Sequence, residues 1–419
     1  MNNKSILLIV LFFFLYKFAH SGPILDDGFV NPAPFWERFR ESDFVKHKPF
    51  YQWWYYSLED FEQKRTFFFV YSFSRCVKNM TNQGSYVLFG SVDHNSQHQH
   101  WQIIHKYPLK EFFVNNEFNV SIGNGKFKLE PISDGVIHLT GKLNDQSHLW
   151  YADNIDPNTE ITWDLTLQRI QGWYGEPDIE VIDDFVGAIG WNTYAHDSLI
   201  SGNIQVGDTH YKIEKSKRFR IYGDMNWGEF FPYGQGRDMA WGWYNIIIPS
   251  DNPSYDIAII AGNGKTKTGS ILGAMDASYC NAKVGLDRQG FRHVRGWDNT
   301  SHAIVWINTA GENEKLLDFT IDRTNWITIT DKLGSSEIPL KQIVTIQSTK
   351  WDVSITCTST QEMYNRLIFP TDGTIFSDWE ALGVNAHVVI KKHATGEVIV
   401  DKTVDTAGLE FGYKCPIHF

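Results

Sequence analysis

The chain has 419 residues, of which 42% are hydrophobic and 15% aromatic, and its formal net charge at pH 7 is −11. A chain of this length is too long for one ordinary core, so two domains are favoured. The acidic charge argues against nucleic acid and against an anionic membrane surface as partners, because both attract basic faces.

The first 21 residues have the order of a secretory signal peptide. Lys4 gives a positive start, an apolar run covers residues 6–16, and Ala19 and Ser21 stand at the −3 and −1 positions of a cleavage site. The apolar run is shorter than the roughly 20 residues of a bilayer-spanning helix, which leaves a short uncleaved anchor as the alternative. We therefore predict a signal peptide at residues 1–21, a secreted protein and no membrane span in the mature chain.

In a secreted protein, two further sequence patterns indicate covalent modification. The four cysteines form no C-x-x-C motif and can make two disulfide bridges in an oxidising compartment, with three possible pairings. They are Cys76, Cys280, Cys357 and Cys415. Three N-x-[ST] triplets predict glycosylation in a secreted chain, at Asn79, Asn119 and Asn299.

The first dense aromatic segment covers residues 51–56, where only Gln52 is not aromatic. In a strand the side chains alternate between two faces, so these aromatic residues must divide between them. One interpretation is ordinary core packing, and the other is a flat apolar wall for a ring or a polyene. The second interpretation predicts that Trp53, Trp54 and Tyr55 bind a hydrophobic small molecule.

Three histidines follow at positions 94, 98 and 100. His98 and His100 would share a strand face, and zinc uses such ligands. A zinc site needs three or four converging ligands, and no carboxylate or cysteine completes this set convincingly. We predict a solvated loop or strand edge here, with no metal and no other cofactor.

Most of the chain has the pattern of short β-strands. Apolar residues alternate in residues 161–167 and 321–329, and turn signals such as Gly123-Asn124-Gly125 separate these segments. Only residues 34–44 have apolar residues spaced for one face of a helix. Strands at short and regular spacing are typical of sandwiches and barrels, which predicts an all-β fold.

The domain boundary is predicted near residue 205. Residues 187–198 have the composition of a turn-rich segment, and new strands are expected from about Gly202. After the signal peptide at residues 1–21, the predicted domains are therefore residues 22–205 and 206–419.

A second aromatic segment covers residues 222–231 and continues at 239–245, with acidic and amide side chains set among Trp and Tyr. A carboxyl among aromatic residues tends to have a raised pKa and can hold a proton near neutral pH. Such an acid can protonate an alkene, and aromatic faces can stabilise the cation that forms. The alternative is a turn in which Asp224 and Asn226 bond the backbone.

These segments supply the candidate site residues. We assign Asp224 as the acid, Trp227 and Trp241 as residues that stabilise positive charge, and Asp256 as a further candidate for proton transfer. The predicted ligand-binding residues are Trp53, Trp54, Tyr55, Tyr222, Asn226, Trp243, Tyr244 and Tyr255. For Tyr255 and Asp256 the alternative is a pair on a surface strand.

The two segments carry a resemblance to a known family. Residues 52–56 resemble the E-W-W-Y-Y opening of the carotenoid 1,2-hydratase (hydroxyneurosporene synthase) family, and residues 222–228 resemble its Y-x-D-H-N-W-G. The run from Gly202 to Trp243 is also similar to tocopherol cyclase. The wider group includes secreted flavonoid hydratases and fungal cyclases that form decalins by Diels–Alder-type reactions. The resemblance implies two lipocalin-like β domains in tandem, a hydrophobic ligand held within or between them, and no metal or organic cofactor.

Two positions depart from the family pattern. Met225 stands where the family has histidine, and Gln52 stands where it has an acidic residue. Methionine cannot titrate, which argues against hydratase chemistry, whereas pericyclic catalysis or binding depends more on the walls of a site. We predict a cyclase, isomerase or hydratase of the isoprenoid or polyketide class, acting on an apolar unsaturated molecule. A non-catalytic lipocalin-like carrier of a hydrophobic ligand and an adhesive extracellular protein are the alternatives.

Overall fold

The chain folds almost entirely into antiparallel strands, in a computed structural model. The structure describes residues 50–76, 80–95, 99–114, 119–133, 135–171, 179–184, 187–229, 240–253, 256–265, 300–307, 314–317, 319–331, 334–347, 349–370 and 375–417. The predicted all-β fold class is confirmed. The predicted signal peptide and the helix predicted at residues 34–44 lie outside the described residues.

The first sheet contains fourteen strands. They are β1 (Phe50–Asp60), β2 (Arg65–Arg75), β3 (Gly84–Asp93), β4 (Gln99–Tyr107), β5 (Phe113–Val114), β6 (Val120–Ile122), β7 (Phe127–Ser133), β8 (Val136–Leu143), β9 (Leu149–Asp153), β10 (Ile161–Gln171), β11 (Ile179–Asp184), β12 (Gly187–Val206), β13 (Thr209–Ile213) and β14 (Phe219–Glu229). Their hydrogen-bonded order is β5-β6-β7-β8-β10-β12-β14-β1-β2-β3-β4-β9, with β11 and β13 also paired to β12.

The second sheet contains ten strands. They are β15 (Ala240–Ile248), β16 (Ile257–Lys265), β17 (Thr300–Ile307), β18 (Glu314–Leu317), β19 (Phe319–Asp331), β20 (Gly334–Gln347), β21 (Trp351–Thr358), β22 (Tyr364–Pro370), β23 (Ile375–Lys392) and β24 (Val398–Ile417). Their order is β18-β17-β16-β15-β24-β23-β21-β20-β19, with β22 paired to β23. The strand pairings of the described residues leave both sheets open, so these two large sheets are not closed barrels.

The chain passes from the first sheet to the second between β14 and β15. The predicted division at residues 205 and 206 therefore falls where β12 ends, inside the part of the chain that builds the first sheet. Sheet membership does not define an independently folding unit, so the two domain ranges stay a prediction that limited proteolysis can test.

One segment differs from its predicted structure. Residues 187–206 form a single strand of 20 residues, so the turn-rich break predicted at 187–198 is wrong. The register against β14 shifts between Asn192 and Ala195 and again between Ala195 and Ser198. Such bulges take up an extra residue while the strand continues, which explains why residues typical of turns occur here.

Each sheet packs one face around its own apolar core, and a third cluster joins the sheets. Phe68, Val70 and Leu88 belong to the first sheet and pack with Ile260 and Leu382 of the second. In the same interface the side-chain amide of a buried residue of β4, Gln102, donates to the carbonyl oxygen of Arg366 at 2.6 Å. The two sheets are therefore in direct contact through buried side chains.

A glycine in β3 makes room for this interface. A Cβ atom at Gly90 would lie 2.2 Å from Cζ of Phe68, which is fully buried. We expect Gly90→Ala to lower the free energy of unfolding by about 1–3 kcal/mol, because the ring must leave its packed position. Urea denaturation measures this change, and Phe68→Leu in the same chain should restore part of it. Unchanged stability in Gly90→Ala would contradict the close approach.

Candidate functional site

Carboxyl and aromatic side chains meet between the two sheets. Tyr55 of β1 and Tyr222 and Asp224 of β14 come from the first sheet, and Trp243 of β15 and Glu380 of β23 come from the second. Each is at most 7% exposed. We call these five residues the carboxyl–aromatic cluster.

Strand register explains the first half of the cluster. Tyr55 lies directly opposite Asp224 in the ladder between β1 and β14. Tyr222 precedes Asp224 by two residues, so both side chains leave β14 on the same face. The local sequence therefore places two phenols and one carboxyl side by side on the face that meets the second sheet.

The second half also follows from register. Trp243 lies opposite Glu410 of β24, and Glu410 lies opposite Glu380 of β23. These three side chains form a row across three neighbouring strands. A Cβ atom at Gly408 would lie 2.8 Å from the indole of Trp243, so a glycine at this position leaves space for the ring.

Hydrogen bonds connect each carboxyl of the cluster to a phenol. The hydroxyl of Tyr222 donates to Oδ2 of Asp224 at 2.7 Å and accepts from Nε1 of Trp243 at 3.1 Å. The hydroxyl of Tyr55 donates to Oε1 of Glu380 in a short hydrogen bond. The ring centroids of Trp243 lie 5.3 Å from Tyr222 and 5.9 Å from Tyr55. The acids are thus held beside an aromatic surface.

The environment of Glu380 favours its protonated form. Burial raises the pKa of Glu380 well above its ordinary value, and the hydrogen bond from Tyr55 lowers it. The nearby carboxyls of Glu410, Glu59 and Asp224 raise this pKa further, because like charges disfavour ionisation. Oε2 of Glu380 makes no hydrogen bond within the described residues, so no donor stabilises a negative charge on that oxygen.

Asp224 and Asn226 lie within a strand, so the interpretation of this segment as a turn is wrong. Oδ1 of Asn226 accepts a hydrogen bond from the hydroxyl of Tyr51 at 2.7 Å. The ring of Tyr51 stacks on Trp53, with centroids 4.9 Å apart. Trp53 lies opposite Asn226, on the same strand face as Tyr55. Trp53 and Asn226 therefore extend the cluster along the two strands.

Two of the predicted ligand-binding residues lie on other faces. Trp54 packs in the core of the first sheet and Tyr244 in the core of the second. The hydroxyl of Tyr244 donates to Oε1 of Gln342 at 2.5 Å and accepts from the guanidinium of Arg323 at 3.0 Å. Strand alternation separates both residues from the carboxyl–aromatic cluster.

Gln52 and Met225, the two positions that differ from the pattern of the resembled family, are in contact with each other. The side-chain amide of Gln52 donates to Sδ of Met225 at 2.8 Å, and both residues are buried. They lie on the face of the first sheet that also carries Trp54, opposite to the face of Asp224. Met225 therefore lies on the other face of the sheet from the titratable groups of the carboxyl–aromatic cluster.

Asp256 is buried in an ion-pair cluster, so its interpretation as a surface residue is wrong. Its Oδ2 lies 2.7 Å from Nε of Arg220, and its Oδ1 accepts from the backbone amide of Ser250 at 2.6 Å. Oδ1 of Asp197 lies 3.6 Å from the same Nε. Burial, followed by the charge of Asp256, raises the pKa of Asp197. The cluster therefore places two carboxyls beside one guanidinium between the two sheets, and burial favours the protonated form of Asp197.

We expect Arg220→Met to lower the free energy of unfolding by about 3 kcal/mol, because the carboxylate of Asp256 would stay buried without its partner. Chemical denaturation measures the loss. Lys217→Met is the matched control, since Lys217 makes an exposed ion pair with Asp251 at 2.6 Å. That control should change stability by less than about 1 kcal/mol. Equal effects of the two substitutions would contradict the buried ion pair.

For some predicted site residues the structure describes only the backbone, and for others it describes nothing. Trp227 lies in β14 and Trp241 in β15, but their side chains lie outside the described part of the structure. Tyr255, Asn79 and Asn299 also lie outside it. Asn119 is half-buried immediately before β6.

The described residues include some of the cysteines and histidines for which bridges or a metal site were considered. Cys357 is a buried free thiol, so the two predicted disulfide bridges are not both present. His98 lies outside the described ranges, and the residues inside them contain no group of three or more side chains suited to a metal ion. No helix in the described ranges has the length and apolar character needed to cross a membrane.

Sequence reasoning missed Glu380 and its neighbour Glu410. Asp378 and Glu380 flank Trp379, which is the same association of acids with tryptophan that identified Asp224. Asp378 and Glu380 are at most 3% exposed, so residues 378–380 indicate a strand face with buried acids. The association of acids with tryptophan could have identified Glu380 as a candidate. No feature of the local sequence predicts that it lies close to residues 222–224.

The comparisons with known proteins concern the fold. No family model matches the chain, and a search of curated proteins finds no match. The chain is similar to the crystal structure of kievitone hydratase from Nectria haematococca, with a TM-score of 0.49 and 13% identity over 87% of this chain and 89% of that one. It is also similar to a putative AttH from Nitrosomonas europaea, with a TM-score of 0.47 and 10% identity over 88% and 94% of the two chains. For CghA with Sch210972 the TM-score is 0.46 and the identity 8%, over 88% and 89% of the two chains.

Proposed function

We propose that the chain is a secreted enzyme that transfers a proton to an apolar, unsaturated small molecule. The reaction class is that of a cyclase, isomerase or hydratase of isoprenoids or polyketides. The observation that carries the proposal is the carboxyl–aromatic cluster, in which a buried acid lies beside an indole and two phenols. Secretion is supported by the order of residues 1–21 and by the three glycosylation triplets.

The cluster provides the groups that such a reaction needs. We assign Glu380 as the acid, because its raised pKa keeps a proton available near neutral pH. Transfer of this proton to one carbon of a C=C bond leaves a cation on the other carbon. The faces of Trp243 and Tyr55 stabilise that cation. Glu380 is left as a carboxylate that accepts a hydrogen bond from Tyr55.

Asp224, which the sequence predicted as the acid, is proposed as the base, because Glu380 takes the role of the acid. Its Oδ2 accepts a hydrogen bond from Tyr222, an arrangement that suits a carboxylate. Removal of a proton from a carbon beside the cation forms a new C=C bond and completes an isomerisation or cyclisation. Removal of a proton from an attacking water completes a hydration. In each case the proton taken up by Asp224 balances the one given by Glu380.

A carrier of a hydrophobic ligand is the second candidate function. The contact between Gln52 and Met225 favours it, because no titratable group remains at the two positions where the resembled family has an acid and a histidine. Such a carrier would use the same interface between the sheets without proton transfer.

Incubation of the purified protein with a panel of polyenes, terpenoids and polyketides separates these functions. Mass spectrometry detects a rearranged product of equal mass or a product heavier by one water, and quenching of Trp fluorescence detects binding. Conversion supports the enzyme, and quenching with unchanged ligand supports the carrier. If no member of the panel is bound or converted, both proposals lose their support.

A further inference from the structure

A chain of hydrogen bonds leads from the carboxyl of Glu59 to the histidine at the end of β3. Glu59 of β1 lies opposite Thr66 of β2, and Oγ1 of Thr66 donates to Oε2 of Glu59. Oγ1 of Thr66 also lies 3.1 Å from Nε2 of His94. Glu59 and Thr66 are buried, whereas His94 lies in a turn and is partly exposed. The chain of hydrogen bonds therefore leads from a buried carboxyl to a half-buried imidazole.

This connection can carry a proton. A hydroxyl group can donate one hydrogen bond and accept another at the same time. When both ring nitrogens of His94 are protonated, Nε2–H of the imidazolium donates to Thr66, and Thr66 donates to the carboxylate of Glu59. When Glu59 holds the proton, both bonds reverse. The exchange of these two states moves one proton between His94 and Glu59 and leaves Thr66 unchanged.

Glu59 also interacts with the carboxyl–aromatic cluster. It leaves β1 on the same face as Tyr55, four residues further along the strand. Its charge raises the pKa of Glu380 and of Tyr55. Burial raises the pKa of Glu59 itself to about 8, against the hydrogen bond from Thr66. Glu59 thus gains and loses its proton close to neutral pH, and each change is felt at Glu380.

The cationic side chains near Glu59 are paired with other acids. Arg220 lies opposite Glu59 on β14, but its guanidinium is paired with Asp256 and near Asp197. The adjacent acid, Asp60, pairs with Arg218 at 2.7 Å. Burial therefore raises the pKa of Glu59, and the hydroxyls of Thr66 and Ser57 lower it.

The position of His94 is also fixed. Its backbone amide donates to the carbonyl oxygen of Lys64 at 2.9 Å. A Cβ atom at Gly383 of the second sheet would lie 2.4 Å from the imidazole, so the ring packs directly against that backbone. The neighbouring charges are in ion pairs, Arg65 with Asp93 at 2.7 Å and Lys64 with Asp405 at 2.5 Å.

We propose that His94, Thr66 and Glu59 form a proton path between the end of β3 and the buried carboxyl of Glu59, whose charge acts on the acid of the carboxyl–aromatic cluster. The effect of that charge on turnover rests on the proposed function. Proton exchange along the path needs no substrate, so the path can be tested without one.

The test is a pH jump from below to above the pKa of Glu59, about 8, followed by time-resolved infrared spectroscopy. The C=O stretching band of a protonated carboxyl that is lost in Glu59→Gln identifies the group. We expect Thr66→Val and His94→Gln to slow the decay of this band by about tenfold or more, an increase of about 1.4 kcal/mol in the barrier. Thr66→Ser keeps the hydroxyl and should keep the rate of the unchanged protein.

A second histidine supplies the matched control. His387 belongs to the second sheet, is exposed and lies 2.8 Å from Asp401. His387→Gln should leave the decay unchanged. Equal decay in Thr66→Val and the unchanged protein would overturn the path, as would equal slowing by His387→Gln and His94→Gln. His94 is less buried than Thr66, so its variant keeps the test decisive if Thr66→Val fails to fold.

The outcomes are independent of the proposed function. Slowed exchange in a protein that converts no ligand would support the path and contradict the enzyme. Conversion by a protein whose exchange does not depend on Thr66 would support the enzyme and overturn the path.

Discussion

Replacement of Glu380 by glutamine is expected to lower kcat by about 10²–10⁴-fold, the usual contribution of a general acid. Glutamine has nearly the same shape, and its carbonyl oxygen can still accept the hydrogen bond that Tyr55 gives to Glu380. It has no acidic proton to transfer. Steady-state product formation, measured by mass spectrometry, gives the change in kcat.

Binding separates this effect from a loss of structure. Quenching of Trp fluorescence by the ligand should persist in Glu380→Gln, because Trp243 and the two phenols remain in place. Glu397→Gln is the matched control, since Glu397 is exposed and pairs with Lys392 at 2.9 Å. An unchanged kcat in Glu380→Gln would remove Glu380 from the mechanism. A loss of kcat in Asp224→Asn, with quenching retained, would still support a base at Asp224.

The second large effect concerns stability against pH through Glu59. Burial raises its pKa in the folded chain to about 8, above the value of 4.5 for an unperturbed glutamate. Between these two values the folded chain keeps a proton that the unfolded chain has released. Stability from this group is therefore complete below pH 4.5 and is lost as the pH rises to about 8. The loss is of order 5 kcal/mol, at about 1.4 kcal/mol for each unit of pKa.

The variant Glu59→Gln isolates this contribution. Glutamine keeps a neutral side chain at all pH values, so its free energy of unfolding should fall much less between pH 4.5 and 8 than that of the unchanged protein. Asp197 also has a raised pKa, to which Glu59 does not contribute, so it affects both proteins alike. The pKa of Glu380 stays raised by burial in the variant and loses only the smaller contribution of the charge of Glu59. Glu214→Gln is the control, because Glu214 is exposed and pairs with Lys212. Parallel pH profiles for Glu59→Gln and the unchanged protein would contradict a protonated Glu59.

Local pattern was sufficient to predict the strands. Alternation over residues 161–167 becomes β10, and the aromatic residues at 53–56 divide between two faces as a strand requires. The prediction was wrong at residues 187–198, where tertiary pairing of β12 with its neighbours overrides a composition typical of turns. A strand buried between two others can contain glycine and polar residues if bulges keep the ladder intact.

Of the carboxyl–aromatic cluster, four residues are among the candidates identified from the sequence, and Glu380 is not. Tyr222 and Asp224 were identified from residues that are close in the chain. The partner of Tyr55 is Glu380, which is 325 positions away. Neither periodicity nor spacing encodes which residue of the second sheet faces a given residue of the first, because that depends on how the two sheets pack. The burial of Asp256 beside Arg220 was missed for the same reason.

Deuterium incorporation tests the central claim most directly, because a proton delivered to a C=C bond by an exchangeable acid comes from the solvent. The protein is incubated in D₂O with a polyene that quenches its Trp fluorescence, and the recovered molecules are analysed by mass spectrometry and NMR. We predict a carbon-bound deuterium in the product of the unchanged protein and of Glu397→Gln, and none with Glu380→Gln. A product without deuterium would indicate pericyclic chemistry, and a bound ligand recovered unchanged would indicate a carrier. Either result would contradict proton transfer by the carboxyl–aromatic cluster.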